Sequence, residues 1–134
     1  MMTKQPIVLF VCVRNAGRSQ MAEALFNRLA AGRAVARSAG SDPADETHPV
    51  VREALAEIDI DISANKPKGL KPGVTEGVDV VVTMGCGDAC PVIPGARVID
   101  WDLPDPADEP LLVVRTIRDQ IERQVGDLLA DIGV

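Results

Sequence analysis

The chain has 134 residues, 46% of them hydrophobic, with 14 Lys and Arg against 20 Asp and Glu for a formal net charge of -6. One globular domain over residues 1–134 is expected, because a chain of this length buries about two-thirds of its unfolded surface without a disulfide or metal staple. Phe10, Phe26 and Trp101 are the aromatic residues and there is no tyrosine, so this acidic, ring-poor chain lacks the stacking platforms and basic groove that single-stranded nucleic acid requires.

In chain order, residues 7 to 12 (Ile-Val-Leu-Phe-Val-Cys) form a continuous apolar run that suits a strand buried on both faces of a parallel sheet. The run is too short for a membrane span or a secretory segment. With no export signal, the chain is expected in the cytoplasm, where Cys12, Cys86 and Cys90 stay reduced and reactive. A loop from Val13 to Arg18 follows. Ser19 then reads as the cap of a helix that stops near Gly32, with Met21, Ala22, Leu25, Leu29 and Ala30 as its buried stripe. Val35 to Ala39 reads as a second strand, ended by Gly40, Asp42 and Pro43. Thr47 and Pro49 mark a helix start, with Val50, Val51, Ala54, Leu55 and Ile58 facing inward. Residues 59–77 are rich in Pro and Gly and read as loop.

Val78 to Met84 is the next strong strand pattern. Gly85 to Gly95 holds two cysteines, two prolines and three glycines, a shaped loop. Ala96 to Ile99 reads as a further strand. From Glu109, with Pro110 in the first turn, a long amphipathic helix carries Val113, Ile117, Ile121, Val125, Leu128 and Ile132 on one face. Strands alternating with helices predict an α/β three-layer domain around a parallel sheet. Trp101 reads as a half-buried packing residue.

The chemistry concentrates in Cys12-Val13-Arg14-Asn15-Ala16-Gly17-Arg18-Ser19, placed where a strand hands over to a helix, the edge at which α/β sheets bind ligands. Backbone N–H groups of Val13, Arg14, Asn15, Ala16, Gly17 and Arg18 are positioned to converge on an oxyanion, with the positive end of the helix behind them. That end and the Arg18 guanidinium favour the thiolate of Cys12 over its thiol. The planar fork of Arg18 fits two oxygens of a tetrahedral anion. Ser19 is positioned to donate its hydroxyl to the thiolate, Asn15 to brace the loop, and Gly17 to allow a close approach. A lone cysteine at a strand end would more often be a small buried hydrophobe; here it is followed by five residues and then Arg-Ser. No Gly-Lys-Ser/Thr and no G-x-G-x-x-G is present, so nucleotide binding has no motif.

Residues 12 to 24, Cys-Val-Arg-Asn-Ala-Gly-Arg-Ser-Gln-Met-Ala-Glu-Ala, resemble the anion loop of arsenate reductases built on the low-molecular-weight protein tyrosine phosphatase fold. The resemblance extends to Ser38-Ala39-Gly40, His48-Pro49, Val82-Thr83-Met84-Gly85-Cys86 and Asp105-Pro106. It implies a four-stranded parallel sheet flanked by helices, and arsenate rather than phosphotyrosine as substrate. Of Asp100, Asp102 and Asp105, it carries the general acid onto Asp105; the other two read as solvated or capping carboxylates.

Cys86 and Cys90 separate a reductase from a phosphatase, since only a reductase needs two electrons from thiols. Read alone, two thiols with three residues between them also match half a zinc site or inert packing. No metal is expected, because the other soft ligands, Cys12 and His48, are not at metal spacing. The resemblance implies a relay in which Cys12 attacks arsenic, Cys86 resolves the adduct, Cys90 frees Cys12, and thioredoxin reduces the product disulfide. No bound cofactor is implied. Cys86 and Cys90 stand closer together than the corresponding pair in thioredoxin-linked relatives. Related enzymes instead use mycothiol and mycoredoxin with Cys12 alone. Glu23 and Ser38 match positions near which some members hold potassium, for which Lys66 or Lys68 offers a substitute charge. The competing readings are a phosphatase acting on tyrosine or arginine phosphate, and a non-catalytic anion sensor. The net charge repels anions at long range, so binding must come from the local cradle.

Overall fold

The computed structural model describes residues 5–85 and 90–134. Four parallel strands, β1 (Ile7–Cys12), β2 (Val35–Gly40), β3 (Val80–Thr83) and β4 (Arg97–Asp100), form a sheet in the order β2-β1-β3-β4. The helices are α1 (Arg18–Ala30), α2 (Pro49–Ala56), the single turn α3 (Pro72–Thr75) and α4 (Leu111–Asp131). β1 is an inner strand covered on both faces, which is why its sequence does not alternate. Val8, Leu9, Phe10 and Val11 are all fully buried.

The two faces are unequal. Val8, Phe10 and Cys12 join a large core with residues of α1, α2 and α4. Leu9 and Val11 face a thin third layer in which Leu70, Val74, Ile93 and Ala96 pack over Ala39 and Val81. Three layers are therefore present, one of them built from loops and one helical turn. Phe10 lies 5.8 Å from Phe26, edge to face, and 5.5 Å from Trp101. The chain's three rings thus meet in one buried cluster.

Several sequence expectations are corrected. Ser19 does not cap α1: Gly17 is the N-cap and has no side chain to make a cap bond, while the Ser19 hydroxyl meets Cys12 Sγ. Leu29 is 40% exposed while Phe26 is fully buried, since the inward face of α1 turns toward Phe10. α4 starts at Leu111 with Pro110 as N-cap, and Val114, three residues before Ile117, takes the buried place expected for Val113. Residues 72–75, read as loop, form α3, and Trp101 is buried rather than half-buried.

Parallel pairing puts the carboxyl ends of all four strands on one edge. Cys12 sits opposite Gly40, Val11 opposite Thr83, and Thr83 opposite Asp100. The loop after β1 opens onto this edge.

Candidate active site

The loop from Cys12 to Arg18 is held by its carbonyls. Cys12 O accepts from Ser41 N, Val13 O from Asp42 N, Arg14 O from Ala44 N and Ala16 O from His48 N, at 2.8 to 3.1 Å. With the carbonyls turned outward to the 41–48 segment, the N–H groups face the opposite way. Among the described residues, those of Val13 to Arg18 meet no acceptor. Asn15, at φ 49°, makes the reversal that this requires. A converging set of donors at the start of α1 forms a cradle able to hold an oxyanion. Two glycines permit it. A Cβ on Gly40 would stand 2.5 Å from Val13 O, and one on Gly17 would stand 2.7 Å from Pro106 Cγ.

Cys12 is a free thiol, 2% exposed, with Sγ 2.8 Å from Ser19 Oγ. Lys68 N–H donates to Asn15 Oδ1 at 2.8 Å, so the other end of that amide is Nδ2, which donates to Ser19 Oγ at 2.7 Å. Ser19 Oγ accepts there and keeps its own proton available for donation to Cys12 Sγ. Gln20 completes the brace, donating from Nε2 to Asn15 O and Oδ1 at 3.1 Å and accepting from Asn65 Nδ2 at 3.3 Å. Asn15, Ser19 and Gln20 are all fully buried. The sequence reading missed Gln20. Its signal was an amide among apolar positions of a helix, where a buried polar group needs partners.

Arg18 stands over the cradle with its side chain 12% exposed, Nη2 3.7 Å from Asp105 Oδ2 and Nη1 donating to Leu103 O at 3.4 Å. Asp105, 55% exposed, accepts from Ala107 N at 3.0 Å. Of the three candidate acids it alone has a described contact with the Arg18 guanidinium. Asp100 accepts from Thr83 Oγ1 at 2.7 Å, and Asp102 is exposed. Arg14 contributes backbone only, because its guanidinium is tied to Asp42.

Glu23 lies beside the cradle rather than on a free helix face. It accepts from Ser38 Oγ at 2.9 Å, and Lys68 Nζ stands 3.8 Å from Oε1. Burial raises its pKa, with Lys68 and Ser38 pulling the other way. The Lys68 ammonium thus occupies the neighbourhood that the resemblance associates with potassium, while Lys66 is exposed. Among the described residues no group of three His, Cys, Asp or Glu gathers to hold a metal. No helix among them is long and apolar enough to cross a membrane. His48 is the N-cap residue of α2, and its N–H ties down Ala16.

Cys90 is half-buried against the thin layer and is disulfide-bonded, whereas Cys12 belongs to the helical face. Cys86 lies outside the described residues, so its expected part as resolving thiol has no geometry here.

Residues 7–133 match the family of low molecular weight phosphotyrosine protein phosphatases. The chain belongs to that family. A Halobacterium salinarum protein assigned as an arsenate reductase is 40% identical over 124 residues, covering 89% of this chain and 87% of its own. The glutaredoxin arsenate reductase of Synechocystis is 37% identical over 129 residues, 94% of this chain and 98% of its own. The structure of a thioredoxin-dependent arsenate reductase from Corynebacterium glutamicum superposes with a TM-score of 0.81 at 42% identity; the match covers 97% of this chain and 62% of that one.

Proposed function

We propose that this chain is an arsenate reductase that forms arsenite through a Cys12 adduct. The observation that carries the reading is the hydroxyl of Ser19, aimed at Cys12 Sγ by the Asn15 brace below an outward-carbonyl loop. Arsenate seats on the N–H groups of residues 13–18, with the Arg18 fork on two of its oxygens. Cys12 thiolate attacks arsenic, and Asp105 delivers the proton with which one oxygen leaves as water. Cys86 thiolate then attacks Cys12 Sγ. The S–As bond breaks with its electron pair on arsenic, arsenic(V) becomes arsenic(III), and a Cys12–Cys86 disulfide remains. Cys90 attacks Cys86, frees Cys12, and leaves a disulfide for thioredoxin to reduce. A cytoplasmic setting supplies the reducing partner.

Two features favour arsenate over an aryl phosphate within the family. Ala107 follows Asp105-Pro106, and the chain has no tyrosine, its three aromatic rings packing together. The second reading for the electron donor is mycothiol with mycoredoxin acting on the Cys12 adduct directly, favoured by the short Cys86 to Cys90 spacing. With Lys68 beside Glu23, no potassium requirement is proposed.

Single Cys86→Ser and Cys90→Ser variants test the relay with arsenate, thioredoxin, thioredoxin reductase and NADPH. The relay predicts that each variant loses steady-state turnover. Full turnover of both variants, in this system or with mycothiol and mycoredoxin, assigns the reduction to an external thiol.

A further inference from the structure

The carboxyl end of β3 runs into Gly85, which has φ +86°. A Cβ built there would lie 2.8 Å from Arg18 Nη1, 3.6 Å from Cζ and 3.7 Å from Nη2. All three nearest atoms belong to the guanidinium. On its other sides the same group meets Leu103 O at 3.4 Å and Asp105 Oδ2 at 3.7 Å. We propose that Gly85 is a positioning residue for Arg18: its missing side chain is the seat that holds the guanidinium over the cradle. The inference rests on the reading of Arg18 as the oxyanion clamp.

The geometry separates this role from an ordinary structural one. A Cβ that collides with backbone damages the fold, as at Gly40, where the nearest atom is Val13 O. At Gly85 the colliding atoms end a flexible side chain, which swings aside at little cost to the fold. Displacement of the guanidinium by even about 1 Å removes the alignment on which a two-pronged hydrogen bond depends. The backbone strain of a side chain at positive φ is a separate matter. It has a matched control, because Gly32 also has φ +86° and a Cβ there would meet nothing within 4 Å.

The test compares Gly85→Ala, Gly85→Asn and Gly32→Ala, with inorganic phosphate and arsenate affinities read by calorimetry and turnover by arsenate-dependent NADPH oxidation. Both Gly85 variants should weaken anion binding about ten- to hundredfold, the scale of one charge-assisted hydrogen bond. Asn adopts positive φ more readily than Ala, so it relieves the strain while keeping the collision. Gly32→Ala should lose a similar amount of thermal stability to Gly85→Ala and keep wild-type affinity. In an Arg18→Lys background, which removes Nη1, Gly85→Ala should cost little further affinity. Wild-type affinity in both Gly85 variants, or an undiminished loss in the Arg18→Lys background, overturns the proposal. Failure of the clamp reading itself shows separately, as unchanged anion binding in Arg18→Ala.

Discussion

The two halves of the proposed catalytic site are built differently. On the nucleophile side, Cys12, Asn15, Ser19 and Gln20 are almost entirely buried, and one chain of hydrogen bonds runs from Lys68 N through Asn15 and Ser19 to Sγ. On the acid side, Asp105 is 55% exposed and touches the site through a 3.7 Å ion pair with Arg18. A thiolate must be stabilised before substrate arrives, so its donors are fixed in advance. An acid has to reach a leaving oxygen whose place depends on the bound anion, so looser tethering suits it. The contrast predicts that changes on the first side cost fold and function together, whereas changes on the second cost function alone.

The widest departure comes from Cys12→Ser, which should abolish arsenate-dependent NADPH oxidation because a serine hydroxyl neither forms the adduct at neutral pH nor yields a disulfide. Any residual turnover above background would remove Cys12 from the reaction. Next is Asp105→Asn. Loss of a general acid slows the chemical step about 10²- to 10⁴-fold. Asn still accepts from Ala107 N, so melting should be unchanged. A large drop in melting temperature would erase the contrast between the sides.

Asn15→Ala probes the braced side, and both readouts should move. It leaves Lys68 N–H without its buried acceptor, removes one of the two acceptors of the Gln20 amide and puts Ala at φ 49°, which costs about 2 kcal/mol in denaturant unfolding. Alkylation of Cys12 by iodoacetamide should slow about tenfold, as Ser19 is no longer oriented. Unchanged stability with slowed alkylation would mean that the brace acts on the thiol alone.

The smallest effect is a pH dependence at Glu23. Burial raises its pKa above the ordinary 4.5, so the folded chain keeps this proton to higher pH than the unfolded chain does. The stability of the protonated form is complete below about pH 4.5 and is lost as pH rises through the folded value. Glu23→Gln does not titrate. Its unfolding free energy should therefore gain on the wild type between pH 4.5 and 7, and a parallel pair of stability curves would show that the Lys68 and Ser38 contacts fully offset burial.

What the sequence made legible follows the same division. β1 was readable because a strand covered on both faces has no polar position, and the cradle because Cys, five residues and Arg-Ser must lie at a strand-to-helix junction. Choosing Asp105 from three carboxylates came from resemblance; Asp105 meets Arg18, while Asp100 is bound to Thr83. Hidden from sequence were residues whose roles depend on distant partners. Gln20 acts through Asn65, Gly40 through the close approach of Val13, and Gly85 through Arg18. Leu29 and Phe26 show the limit of periodicity: both sit near the edge of one stripe, and the ring of Phe10 decides between them.

The most direct test of the account offers the reduced protein arsenate and an aryl phosphate in parallel, with both thiol donor systems present. The prediction is arsenate-dependent NADPH oxidation with one arsenite formed per NADPH, lost in Cys12→Ser, and slow aryl phosphate hydrolysis. Brisk aryl phosphate hydrolysis with no arsenate-dependent NADPH oxidation from either donor would contradict it.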